Sequence, residues 1–111
     1  MEHKMHLQDE PFNLIKLGTK TIELRLNDDK RKIIKENDII KFTNRKTKEQ
    51  LKAKVIKLHN YDSFEELYKH FNKIELGYQD DNLANYQDME IYYSKEEQDK
   101  YGVVGIEIQV L

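Results

Sequence analysis

The chain has 111 residues, room for one domain and one hydrophobic core, and its 38% hydrophobic and 36% charged residues argue for a folded chain with a densely charged surface. With no cysteine, disulfide scaffolds, thiolate zinc sites, iron–sulfur clusters and cysteine nucleophiles are excluded, and no apolar run approaches the roughly 20 residues of a membrane-spanning helix. The net charge of −2 conceals a division: residues 1–60 carry 15 Lys+Arg against 9 Asp+Glu, whereas residues 61–111 carry 4 against 12 and hold all seven tyrosines.

Met5 and Leu7 alternate with Lys4 and His6, the pattern of a short half-buried strand. Asp9 as a cap, Pro11 in the first turn, Phe12, Ile15 and Leu17 behind it and Gly18 as a stop predict a short helix. Thr21 to Leu26 alternates strictly and is the clearest strand, with Ile22, Leu24 and Leu26 on one face and Thr21, Glu23 and Arg25 on the other. Asn27 to Ile34 reads as a turn and a short basic helix. Lys35, Glu36 and Asn37 make a tight turn into a strand over Asp38–Thr43.

The polar segment Asn44–Lys48 predicts a hairpin into a long strand from Gln50 to His59, where the parity of apolar positions changes after Val55 and marks a bulge or bend. Ser63 with Glu66, and Ser94 with Glu97, fit the capping box, and the first opens a helix with a Phe64, Leu67, Tyr68, Phe71 stripe. Gly77 predicts a turn, Asn82–Tyr93 a further helix, and Gly102 the end of the helix begun at Ser94. Val103 to Val110 is a last strand, with Val104, Ile106, Ile108 and Val110 on one face. Together these make one α+β domain over residues 1–111, a small five- to six-stranded, mostly antiparallel sheet that must curl into a barrel to protect its edges, with short helices over one side or mouth.

The segment Gly18-Thr19-Lys20-Thr21-Ile22-Glu23-Leu24-Arg25, followed by Asn27-Asp28-Asp29-Lys30-Arg31 and Asn37-Asp38-Ile39-Ile40-Lys41-Phe42, resembles the ASCH domain family, whose pattern is G-x-K-T-x-E-x-R and then a G-D-x-I-x-F strand start. Tyr61 to Leu67, Tyr92 to Glu97 and Tyr101 to Ile106 are similar to the family's later blocks, so the likeness runs through nearly the whole chain in order. Asn37 stands where the family has a glycine, a tolerable exchange because Asn also visits left-handed conformations. The resemblance implies a β-barrel similar to the PUA fold, with a cleft between barrel and helices lined by the signature segment. It further implies RNA binding connected with RNA metabolism or translation, with nuclease activity in some members. A small branch hydrolyses acylated cytidine nucleosides through a lysine and a threonine of this segment; here the lysine is Lys20, but the threonine position holds Glu23.

Parity sends Lys20 inward with Ile22, although a lysine can escape at a barrel rim; it is either a cation for a phosphate, a base if burial lowers its pKa, or a snorkelling surface lysine. Glu23 and Arg25 stand two apart on one strand face. They form either a structural ion pair or a grip in which Arg25 holds a phosphate and Glu23 meets a base edge, a water or a 2′-hydroxyl. Lys30, Arg31, Lys32 and Lys35 make a basic patch that either tracks an RNA backbone or is a solvated face. Tyr92 and Tyr93 cannot both point the same way, so one belongs to the core and the other, assigned as Tyr93, to the cleft, where tyrosines stack bases.

His3, His6, His59 and His70 lack metal-ligand spacing, and there is no glycine-rich phosphate loop or nucleophilic serine motif, so no metal or cofactor is expected. The expected function is binding of RNA or a nucleotide- or nucleoside-like molecule through Lys20, Thr21, Glu23 and Arg25, with Lys30, Arg31 and Tyr93 as further contacts. The competing class is a metal-independent ribonuclease or nucleoside-processing hydrolase with Glu23 as base and Lys20 as electrostatic stabiliser. A cytoplasmic location without a membrane partner is expected. The charge division marks the basic side as a surface for phosphates, unless the two halves simply neutralise each other in the fold.

Overall fold

Every second residue is apolar along several of these segments, and in the computed structural model, which describes residues 1–111, they become five strands and a set of short helices. In chain order these are β1 (Glu2–Leu7), α1 (Asp9–Leu17), β2 (Ile22–Leu26), α2 (Asp29–Lys32), β3 (Ile39–Asn44), β4 (Gln50–Tyr61), α3 (Phe64–Tyr68), α4 (Lys73–Leu76), a 3₁₀ turn over Tyr86–Ile91, α5 (Lys95–Tyr101) and β5 (Val103–Val110). The strands form one sheet in the order β1-β3-β4-β5-β2, with β1 parallel to β3 and every other pair antiparallel. This is the expected α+β architecture, as a curled half-barrel of five strands. No helix is long and apolar enough to cross a membrane.

Long β4 bends the sheet from β3 round to β5, and its ladder slips between Val55 and Lys57, where the parity change marked a bulge. The curl brings the two edge strands, β1 and β2, near each other. No ladder closes that seam. Instead Arg25 Nη2 donates to the His6 carbonyl at 3.1 Å, a side chain bridging two edges that share no strand pairing.

Two apolar cores lie on opposite faces of the sheet. The inner one gathers Phe42, Val55, Ile106 and their neighbours, and α1 adds Phe12 and Ile15, both fully buried. The second packs Ile22, Leu24, Leu26 and Val103 against Phe64, Leu67 and Leu76 from α3 and α4. The parity read for β2 holds, with a consequence the pattern alone does not carry. Its apolar face lies under the helices, so Glu23 and Arg25, paired in register with Ile106 and Val104, turn toward the inside of the half-barrel.

Several local expectations are corrected. The α1 cap is Gln8, because the Asp9 carboxylate instead accepts from the buried Asn44 amide at 2.9 Å and from Asn13 at 3.2 Å. The α3 helix stops before Phe71 because Asn72 and Glu75 form a complete capping box of their own and start α4. Asn82–Tyr93 is not an α-helix: only the half Tyr86–Ile91 winds, as a 3₁₀ turn behind Asn85, which caps Gln87 N, and Lys73 Nζ holds the preceding loop through the Asp80 and Asn82 carbonyls at 2.8 and 2.6 Å. Asn37 does adopt the left-handed conformation, at φ 74°.

Candidate functional site

Gly18 ends α1 at φ 94°, and the chain turns back so that Lys20 enters β2 beside the end of α4. Thr21 fastens that junction through its backbone, its N–H bonding Glu75 O and its carbonyl accepting from Ile108 N. Lys20 does not escape at the rim. Only 5% exposed, it donates through Nζ to Ile22 O at 2.7 Å and to Leu76 O, a terminal carbonyl of α4, at 2.9 Å, and lies 3.5 Å from Glu23 Oε1. Two of the three ammonium donors are thus bonded to carbonyls, and Glu23 faces the group at ion-pair distance. Close approach to α4 requires Gly77, at φ 104°, since a Cβ there would sit 3.0 Å from Lys20 Cδ.

Glu23, also 5% exposed, is flanked by two cations: Lys20 on Oε1 and Arg25 on Oε2, the latter through Nε and Nη2, each at 2.9 Å. Burial lowers the Lys20 pKa from the ordinary lysine value, with Glu23 pulling in the opposite direction. Burial also opposes the charged Arg25 guanidinium, but Glu23 and then Tyr93 outweigh it, and the Arg25 pKa is raised. The local spacing thus builds a buried cation–carboxylate–cation row, with the Arg25 end reaching across the barrel seam to β1.

That row lines a cleft of about 830 Å³, where Lys20 and Glu23 are its buried charges. From one side come His6, Leu7, Gln8, Glu10 and Pro11 together with Arg45, and from the other Tyr68, Tyr78, Asp88, Met89, Tyr92 and Tyr93, with Leu83 at the open end, 91% exposed. The Tyr68 and Tyr78 hydroxyls are 2.9 Å apart, and Tyr78 donates to Asp88 Oδ2 at 2.7 Å. Burial, followed by Tyr78, pushes the Tyr68 phenol far above its ordinary pKa, so it stays a protonated donor. Tyr93 stacks on Phe64 with centroids 5.8 Å apart, while Tyr92 is largely exposed.

Of the residues singled out in the sequence, Lys20, Glu23, Arg25 and Tyr93 converge here. Thr21 does not line the cleft. Lys30 and Arg31 also stay outside it, because α2 carries them to a smaller hollow beside β1. Tyr92 and Tyr93 both reach the cleft, since they lie in the irregular turn after the 3₁₀ segment, where, unlike in a strand, neighbours need not alternate between faces. His6, Arg45, Tyr68, Tyr78 and Asp88 carried no local signal beyond the clustering of tyrosines in the second half. Arg45 pairs with no carboxylate, alone among the cations lining the cleft.

The profile of the ASCH domain matches residues 5–111. Similar solved structures include the crystal structure of hypothetical protein PH0355, at 37% identity over 100% of both chains with a TM-score of 0.80. Another is the solution NMR structure of protein PF0455 from Pyrococcus furiosus, at 39% identity over 100% of this chain and 98% of that one, TM-score 0.72. ASCH from Zymomonas mobilis shares the fold at 16% identity, covering 97% of this chain and 66% of that chain, TM-score 0.71. No curated protein matches the chain. With the domain profile spanning almost every residue and the half-barrel shared with an ASCH structure, the chain belongs to the ASCH domain family.

Proposed function

We propose that the chain binds single-stranded RNA by taking one nucleotide unit into the cleft. The observation that carries this reading is the convergence of Lys20, Glu23 and Arg25 at the base of a cavity faced by tyrosines. Its volume of about 830 Å³ suits a nucleotide-sized ligand. Tyr92 and Tyr93 offer aromatic faces to a base, and the Glu23 carboxylate and Arg25 guanidinium offer an acceptor and donors to its edge. Lys20 and Arg25 are already engaged by Glu23, which makes Arg45 the cation available to a phosphate at the mouth. Membership of a family associated with RNA binding supports the same reading.

Binding is favoured over turnover because Lys20, the group a hydrolase would use as base or stabiliser, has two donors committed to carbonyls and is ion-paired with Glu23. The test titrates a short fluorescent single-stranded RNA with wild type and Tyr92→Ala in EDTA. Tyr92 is exposed, so its loss spares the core. Stacking of one base is worth about 1–3 kcal/mol, so the variant should bind roughly 5- to 150-fold more weakly, with the RNA intact on a gel. Unchanged affinity in the variant defeats the cleft assignment. RNA cleavage that vanishes in Glu23→Gln would replace it with the hydrolase.

A further inference from the structure

The second hollow, about 110 Å³, lies between β1 and α2 and is lined by Lys4, Lys30 and Arg31 among others. Its cations outnumber their partners. The Arg31 side chain is only 15% exposed, yet its Nε is closed off from solvent and has no hydrogen-bond partner. The nearest carboxylate oxygen, Asp28 Oδ2, is 3.7 Å from Nη1, beyond hydrogen-bond length, while Asp28 Oδ1 is occupied in capping Arg31 N at 3.1 Å. Lys4 and Lys30 make no ion pair. Asp38 is not available to them: its Oδ2 accepts from His3 at 2.8 Å and from Lys35 N at 3.0 Å, and these bonds hold its pKa at about 2. Asp29 stands in the first turn of α2 and tempers the patch without pairing within it.

The sealed Nε leaves the Arg31 charge under-compensated, and a small acceptor-rich anion in the hollow that Arg31 lines supplies the missing counter-charge. A cavity of this size admits a phosphate group. Its position links it to the first site: Lys4 lines the hollow, His6 lines the cleft, and the two share the outward face of β1, about 7 Å apart by strand geometry. We infer that this hollow is a phosphate site in which Arg31, Lys30 and Lys4 hold a backbone phosphate of the same RNA strand whose nucleotide occupies the cleft. The assignment of the strand rests on the proposed function above; the anion site itself does not.

The experiment follows the Arg31 Nε–Hε signal by ¹H–¹⁵N NMR, assigned with Arg31→Gln, while inorganic phosphate is added against chloride at equal ionic strength. A saturable shift of Arg31, with the Arg25 signal unmoved, is expected, and a Lys30→Gln variant should weaken it several-fold. In the RNA arm, Lys30→Gln should reduce the slope of log affinity against log salt by about 0.7, the share of one phosphate on a single strand. Absence of a phosphate-specific shift overturns the site. A phosphate shift with an unaltered RNA salt slope overturns the strand assignment, leaving a site for free phosphate. If Tyr92→Ala leaves RNA affinity intact while Arg31 still responds to phosphate, the cleft reading fails and the anion site stands.

Discussion

Lys20 and Gly77 form a matched pair, and the match yields a stability comparison. Both Gly77 and Gly18 have positive φ, 104° and 94°, so alanine at either position is held in a left-handed conformation that costs about 1–2 kcal/mol. At Gly18 a Cβ meets nothing within 4 Å, and that backbone cost stands alone. At Gly77 the new methyl lies 3.0 Å from Lys20 Cδ and 3.4 Å from Nζ, and the lysine cannot recoil without breaking its bonds to Ile22 O and Leu76 O. Crowding of this kind adds about 1–3 kcal/mol. Gly77→Ala should therefore unfold at a clearly lower urea concentration than Gly18→Ala. Equal midpoints would mean that the Lys20 side chain moves freely and that its hydrogen bonds contribute little.

Among the short helices, α5 governs the cleft through Gln98, which is 5% exposed. Its Oε1 accepts from Phe64 N, the first residue of α3, at 3.0 Å, and its Nε2 donates to Tyr93 O at 3.3 Å. Gln98→Ala leaves a buried backbone N–H unpaired and releases a cleft residue, so it should cost about 2 kcal/mol in denaturant unfolding and also weaken RNA binding. Ser94→Ala removes only the α5 cap and should cost about 1 kcal/mol. A Gln98→Ala protein that keeps full RNA affinity would show that the clamp does not set the cleft wall. The strands, the bulge after Val55 and the two serine caps were legible because each rests on residues a few positions apart. The limits of α3 were not, because the Phe64–Phe71 stripe competes with a cap at Asn72 that wins. In the site, Lys20, Glu23 and Arg25 were legible as neighbours along one segment. Arg45, Tyr78 and Asp88 join them only through the sheet order, and the inward turn of Glu23 depends on which face of β2 the helices cover.

Across the whole molecule the charge division persists. Of the eight ion pairs and two histidine–carboxylate contacts, only the His59–Glu107 contact joins residues 1–60 to residues 61–111, so the two halves do not neutralise each other through contacts. The cleft lies along their seam, with Arg25 and Arg45 contributed by the basic half and Tyr78 and Asp88 by the half of net charge −8. On the proposed reading, an RNA strand entering it would meet cations in the cleft and in the β1–α2 hollow, and the acidic half would repel further phosphates. Two phosphate contacts, at Arg45 and in the hollow, predict a salt slope of about −1.4 on single-stranded RNA, far shallower than that of a protein coating a long tract of backbone. Lengthening the RNA beyond a short oligonucleotide should then raise affinity only by the number of ways to bind. Titrations of a short and a long RNA across several salt concentrations check both features. A slope steeper than about −3 together with affinity that climbs with length would show that the basic half acts as a general nucleic-acid surface, with the cleft incidental to binding.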